Sequence, residues 1–187
     1  MQIDAKWLKS HFLCDSGLIS VVDGENNFSY DHNDLIDKYI KTSPSWMGFY
    51  AGMLVEDNLT KLKMAIELID KYNYLIDTTT DKTIEVFNHI KDMVFNNNKM
   101  YMSEKVQAYI DNKDNRKTKG KFLIYILCLY IKLDIEKNKE YTTKILGALV
   151  EHIVEMQKKR SNTTDTFKYY YKSALYLRKI LNTYLDE

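Results

Sequence analysis

Proline and glycine are scarce in this sequence, and their scarcity argues against a fold built from many short strands. Among 187 residues there are one proline and six glycines. Tight turns between strands depend on these two residue types. The composition therefore favours long helices, and a hydrophobic fraction of 45% is enough for the core of one domain.

The sequence also lacks the cysteines and long apolar segments of secreted and membrane-bound proteins. Its two cysteines, Cys14 and Cys128, lie far apart, whereas disulfide-stabilised secreted domains carry more cysteines at shorter spacing. The longest apolar run, residues 122–131, is about half the length that a membrane-spanning helix needs. Residues 1–10 have no apolar segment typical of a signal peptide. We therefore expect a soluble protein in the reducing cytoplasm.

No phosphate-binding loop or metal-binding motif is present in the sequence. The six glycines never have the spacing that a phosphate-binding loop requires. Glu85 and His89 share one predicted helix face, and Glu151, His152 and Glu155 share another. Neither group has the Glu-x-x-His order with which helical bundles bind two metal ions, and charged residues at this spacing are common on exposed faces. We predict no metal and no cofactor.

A nucleophilic site is also poorly supported. His11 and Cys14 are the one histidine and cysteine that lie close together in the sequence. A catalytic thiol needs contact with its base and a third group that orients the base, which this short segment does not guarantee. We predict that the chain is not an enzyme. An enzyme with an unrecognised site near His89 or His152 is kept as a further hypothesis.

Beyond residue 31, apolar residues recur every three to four positions, which predicts helices. The clearest seam is residues 58–76, with Leu62, Ile66 and Ile69. Residues 122–136 begin apolar all round, which is typical of a helix at the centre of a bundle. The last helix carries an apolar stripe of Phe167, Tyr171, Ala174, Leu177 or Arg178, Leu181 and Tyr184.

We expect one mainly all-α domain over residues 1–187, a bundle of seven or eight helices. Residues 1–30 are less regular. There, Asp23-Gly24 lies between the β-prone segments 18–22 and 27–30, which predicts a small hairpin. Residues 111–121 are the most polar loop, with Gly120 as its hinge.

Positive charge is concentrated in the second half of the chain. Residues 1–99 hold ten basic and fifteen acidic residues, whereas residues 100–187 hold seventeen and eleven. The basic and aromatic candidates for partner contact are Lys113, Arg116, Lys117, Lys119, Lys121, Lys158, Lys159, Arg160, Tyr169 and Tyr170. Such residues suit phosphate contact and base stacking. The net charge of +1 and the scarcity of arginine argue against it, so nucleic-acid binding is the alternative hypothesis.

The segment 44–53, PSWMGFYAGM, has the most unusual composition in the chain. Gly48 and Gly52, four residues apart, leave a smooth stripe on which another backbone can pack closely. Its large apolar residues, Trp46, Phe49, Tyr50 and Met53, either pack inside the protein or line an apolar patch that receives a partner.

We therefore predict a non-enzymatic protein-binding module. The function that fits a helical domain without motifs is an inhibitor or immunity protein that neutralises a toxin, or a viral or phage antagonist of a defence protein. Such a protein acts by steric and electrostatic occlusion of another protein.

Overall fold

Two short strands and a series of helices make up the residues that the computed structural model describes, which are 2–11, 29–76 and 81–185. The longer helices are α2 (His32–Thr42), α3 (Met47–Leu54), α4 (Asn58–Lys71), α5 (Asp81–Lys91), α6 (Glu104–Asp111), α8 (Lys119–Ile135), α10 (Ile145–Ser161) and α11 (Phe167–Leu185). Shorter elements are α1 (Ala5–His11), α7 (Asp114–Lys117), α9 (Lys139–Thr142), 3-10 turns at Pro44–Trp46 and Asn73–Leu75, and a π-helical turn at Asp92–Asn96. The mainly all-α prediction is confirmed.

Helices begin where side chains satisfy their first backbone N–H groups. Asp31 accepts from the N–H of Asn33 at 3.0 Å, and Ser103 accepts from the N–H of Val106 at 3.3 Å. Aspartate and serine are among the residues preferred at this position. α2 ends at Thr42, immediately before the Ser43-Pro44 pair, because the residue before a proline is disfavoured in the α conformation.

α4 lies among the other long helices, and the seam predicted over residues 58–76 is buried. Leu62, Ile66 and Ile69 have an exposed fraction of 0%, as their three-four spacing predicts. α4 packs against α8, α10 and α11. The buried side chains of these four helices belong to one hydrophobic core.

α3 and α10 lie so close together that their backbones meet at glycine. A Cβ atom on Gly48 would lie 2.8 Å from the Cα of Gly147 and 2.8 Å from the carbonyl oxygen of Leu146. A Cβ atom on Gly52 would collide with the carbonyl oxygen of Thr143. The smooth stripe predicted from Gly48 and Gly52 is therefore the surface on which the start of α10 and the residues before it pack.

The N-terminal sheet differs in detail from the predicted hairpin. Strands β1 (Gln2–Asp4) and β2 (Ser29–Asp31) are antiparallel, with Ile3 opposite Tyr30. Strand β2 begins two residues later than the predicted segment 27–30, and its partner among the described residues is β1. Residues 18–22 and the Asp23-Gly24 turn lie outside the described residues.

Two further expectations are corrected by the helix bounds. Residues 111–121, predicted as a loop, contain α7 and the start of α8, so Gly120 is a helical residue and not a hinge. The apolar stripe predicted on α11 is confirmed at Ala174, Leu177 and Leu181 and is wrong at its first two members. Tyr171 and Phe167 are exposed, while Ala174, Leu177 and Leu181 are fully buried and determine which face of the helix points inward.

We expect Gly48→Ala to destabilise the protein by about 1–3 kcal/mol, the usual cost of extra volume in a packed interface. This destabilisation exceeds the roughly 1 kcal/mol that alanine contributes as the better helix former. The new methyl group meets backbone atoms, which cannot move aside as a side chain can by changing its rotamer. Urea denaturation of both proteins measures the difference.

Gly147→Ala is the matched control for Gly48→Ala. Its Cβ atom would lie 2.5 Å from the ring of Phe49, a side chain that can be removed. Gly147→Ala should therefore lower the free energy of unfolding less in a Phe49→Ala background than in the wild type. Gly48→Ala should lower it by the same amount in both. A Gly48→Ala protein as stable as the wild type would contradict the close backbone contact.

Candidate functional site

One face of α8 is only partly covered and forms one wall of an apolar groove. The residues of this face are Phe122, Ile126, Leu129 and Leu133, which are four, three and four positions apart. The facing wall and the ends are formed by Ile145, Ala148, Glu151, His152 and Glu155 of α10, Phe49 of α3, Tyr141 of α9 and Lys144. The groove has a volume of about 540 Å³ and is open to solvent.

The two walls of the groove have the spacing of helix-packing seams. Ile145, Ala148, His152 and Glu155 follow one another at three-four-three spacing, which complements the spacing along α8. Alternating steps of three and four residues are the pattern by which one helix receives the side chains of another. From Phe122 to Leu133 the wall is about 16 Å long, or about three helical turns.

Charged side chains mark the two ends of the groove. Glu151 and Glu155 lie at the end formed by the second half of α10, beside Phe122, whose ring is 4.8 Å from that of His152. At the other end the ammonium group of Lys144 lies 5.4 Å above the ring of Tyr141. The groove is therefore acidic at one end and basic at the other.

Glu151 is exposed at the edge of the apolar groove, and its carboxylate is only partly desolvated. Burial raises the pKa of its side chain, because desolvation disfavours the charged form. No described side chain forms a hydrogen bond or an ion pair with it. The site can therefore accept a cation that comes from outside the described part of the chain.

His152 is held in the groove wall by the start of α8. Its Nε2 donates to the carbonyl oxygen of Lys119 at 2.9 Å. Burial lowers the pKa of His152, and the nearby charges of Lys119 and Lys159 lower it further, while the Lys119 carbonyl and Glu155 oppose them. Since the net direction is downward, the neutral imidazole is favoured.

The candidates in segment 44–53 separate into groove, surface and core residues. Phe49 is half-buried and lines the groove. Trp46 is half-buried with its ring centre 5.6 Å from that of Phe49, and Met53 is half-buried against the core. Tyr50 has an exposed fraction of 0% and stacks on Tyr39 at 4.7 Å. Tyr50 is therefore a core residue and offers no surface to a partner.

The basic residues of segment 113–121 do not form one free surface. The Nε of Arg116 donates to the hydroxyl of Tyr125 at 2.7 Å. Lys117 lies 3.9 Å from Asp114, with both side chains largely exposed. Lys113 is exposed immediately before α7. Local contacts thus engage part of this segment.

Lys119 and Lys121 point to different places. The ammonium group of Lys119 lies close enough to that of Lys159 for this contact to lower the pKa of Lys119, so the two predicted basic segments meet there. Lys121 is half-buried and lines a second cavity, with a volume of about 350 Å³, between α5, α6 and α8. Its carbonyl oxygen accepts from the hydroxyl of Tyr109 at 3.2 Å.

The two tyrosine candidates on α11 are half-buried. The hydroxyl of Tyr169 donates to the Oγ of Ser161 at 2.6 Å. Burial raises the pKa of Tyr170, and the nearby carboxylates of Glu151 and Glu155 raise it further. Tyr170 therefore belongs to the acidic side of α10 and not to a basic surface.

Two of the residues weighed for metal binding, Glu85 and His89, are engaged in other contacts. Glu85 forms an ion pair with Lys105 at 2.5 Å, and His89 Nε2 lies 2.9 Å from the Oγ of Ser103. Burial raises the pKa of the Cys128 thiol to about 12.

Across residues 2–11, 29–76 and 81–185, no group of three or more His, Cys, Asp or Glu side chains is arranged to hold a metal ion. Cys14 and the side chain of His11 lie outside the described residues.

Most of the groove residues were not among the candidates chosen from the sequence. Phe122, Leu129 and Leu133 lie in an apolar run that the sequence assigns to the bundle centre. Their heptad-like spacing was the available signal. A helix that is apolar all round does not reveal which of its faces its neighbours leave uncovered, so the signal was not specific.

Comparisons with known proteins add no relationship to this geometry. No protein-family model, curated protein or solved structure matches the chain. Each helix in the described ranges is too short or too polar to cross a lipid bilayer.

We expect part of the stability to be lost as the pH falls through 6.5, the ordinary pKa of histidine. Because the pKa of His152 is lowered in the folded chain, the unfolded chain binds more protons in this range. Stability is therefore complete above pH 6.5 and declines below it.

His152→Gln, which can still donate to the Lys119 carbonyl but cannot titrate, should lose less stability between pH 7.5 and pH 5.5. Urea denaturation of both proteins at the two pH values tests this. An equal loss in the variant would show that other groups account for the whole pH dependence.

Proposed function

We propose that this chain is a non-enzymatic protein-binding module that receives an amphipathic helix of its partner in the groove between α8 and α10. The observation that carries the proposal is the apolar wall of α8, open to solvent, which faces an α10 wall of complementary three-four spacing. Insertion of an amphipathic helix into an apolar groove is a recurring mode of protein recognition. It uses large side chains at successive helical turns as anchors.

The groove specifies the chemistry of the incoming helix. Apolar side chains at three-four spacing would contact Phe122, Leu129 and Leu133. A lysine or arginine near one end would meet Glu151, whose carboxylate is partly desolvated and has no ion partner among the described residues. Charge complementarity of this kind selects among partners with similar apolar faces.

An inhibitory role is the form of this function that we favour. An inhibitor, an immunity protein or a viral or phage antagonist works by occupying a surface that its target needs. A groove that captures one helix of a toxin or defence protein would act in this way, and saturating amounts of this chain should then abolish the activity of the captured protein.

The test compares two glutamate substitutions on α8. Leu133 lines the groove, whereas Ile135 is two residues further along, has an exposed fraction of 46% and does not line it. A library of displayed helical peptides with leucine at heptad positions and random residues elsewhere is selected against the wild-type protein. We expect binders that are lost with Leu133→Glu by at least about 30-fold, as for an anchor worth 2 kcal/mol, and retained with Ile135→Glu.

Charge reversal tests the second element of the proposal. With Glu151→Lys as the target, the same library should yield peptides with aspartate or glutamate in place of lysine or arginine near one end. Proteins captured from cells should show the same dependence on Leu133 and Glu151. If selected peptides ignore both substitutions, or none is selected, the groove does not serve protein binding.

A further inference from the structure

α11 carries a concentration of positive charge that the groove does not use. Its 19 residues include four basic and no acidic side chains. Arg178 forms an ion pair with Asp37 of α2. Lys168, Lys172 and Lys179 are exposed, and no acidic side chain in the described ranges pairs with them. Three positive charges therefore point outward from one helix.

Exposed rings lie between these lysines. Phe167 has an exposed fraction of 52% and Tyr171 one of 38%. Their rings are nearly parallel, with an angle of 19° and a centre-to-centre distance of 6.2 Å. Leu175, one turn further, is 43% exposed. Large flat side chains on the surface of a folded domain are candidates for contact with another molecule.

A concave cleft continues this surface towards α4. It has a volume of about 600 Å³, and its lining includes Lys172 and Lys179 of α11 and Lys71 at the end of α4. The ammonium group of Lys71 lies 5.3 Å above the ring of Tyr176. On the α10 side the cleft is extended by Arg160 and Tyr74. The guanidinium of Arg160 lies 5.6 Å above the ring of Tyr74.

The carboxylates nearest this cleft are engaged elsewhere. Glu67 and Asp70 lie near Tyr176. Glu67 accepts from the hydroxyl of Tyr184 at 2.5 Å, and Asp70 forms an ion pair with Lys91 at 2.6 Å. The lysines of the cleft therefore keep their charge available for an anion.

We propose that this basic aromatic face, formed by Lys71, Arg160, Lys168, Lys172, Lys179, Tyr74, Phe167 and Tyr171, binds a single-stranded nucleic acid. Proteins that bind single strands without reading their sequence combine a positively charged groove, which follows the phosphates, with exposed rings on which bases stack. Both elements are present here. The face is distinct from the groove between α8 and α10 and shares no lining residue with it.

A single strand fits this face better than a duplex or an anionic membrane. The bases of a duplex are stacked on one another, so Phe167 and Tyr171 would remain unused. A bilayer surface offers no bases, so the stacking contacts of Phe167 and Tyr171 would be absent. Charge alone would attract all three ligands, and the rings distinguish among them.

The first experiment measures charge. Fluorescence anisotropy follows the binding of labelled 20-nucleotide oligo-dT and oligo-U at 50 mM and 200 mM salt. If the three cleft lysines each neutralise one phosphate, the logarithm of the affinity should fall with a slope of about −2 against the logarithm of the salt concentration, a loss of about 20-fold. Similar affinity for both oligonucleotides indicates that the 2′-hydroxyl is not read.

Two charge-matched double variants separate this face from the basic segment 113–121. Lys172→Gln/Lys179→Gln should reduce the slope to about −0.7. Lys113→Gln/Lys117→Gln removes the same amount of charge from α7 and the residue before it, and should leave the slope unchanged. Equal effects of the two variants would overturn the assignment of the site to α11.

The second experiment measures stacking. Phe167→Ala/Tyr171→Ala should weaken binding by at least about fivefold, with Tyr101→Ala, at a site 47% exposed outside this face, as the control. A 20-base-pair duplex and vesicles of phosphatidylserine and phosphatidylcholine complete the comparison. Equally tight binding of the duplex, no effect of the ring substitutions, or binding to vesicles alone would overturn the proposal.

Discussion

The close contact between α3 and α10 is the constraint on which the groove depends. With no side chain on Gly48, the two backbones approach to a distance that a Cβ atom at this position would prevent. Phe49 follows Gly48 directly, and its ring lies over Gly147. The glycine contact thus places this ring in the groove. It also holds one face of α10 on α3, so that Ile145, Ala148 and His152 are left beside the open face of α8.

Glu151 gives the groove a selectivity that apolar packing alone lacks. Apolar contact is non-directional and accepts many helices of suitable size. Glu151 is exposed but partly desolvated, and a cation of the proposed partner would be favoured beside it. A partner with an acidic residue at the same place would be repelled. Discrimination between partners therefore rests on one charged residue at the edge of an apolar surface.

The sequence predicts the helices better than it predicts their exposed faces. The α4 seam and the caps Asp31 and Ser103 follow from local spacing and hydrogen bonding, which neighbouring residues determine. The groove follows from which side of α8 its neighbours leave open, and this depends on residues of other helices, such as Phe49 and His152, that are distant in the sequence. Likewise, six aromatic and basic residues begin α11, and only the burial of Ala174 and Leu177 decides that Phe167 and Tyr171 face solvent while Tyr170 turns inward.

α10 connects the two proposed surfaces. Glu151 and Glu155 face the groove, whereas Gln157 lines the cleft and Arg160 extends it through Tyr74. Five residues separate Glu155 from Arg160, a rotation of about 140° around the helix. Glu155 and Arg160 are therefore directed to different sides of α10, whereas Lys159 stays near Glu155 and His152. In the two proposed binding modes, the acidic end of the groove would attract a cationic helix, and the basic cleft would attract a polyanion. One helix would thus contribute to both surfaces through different residues.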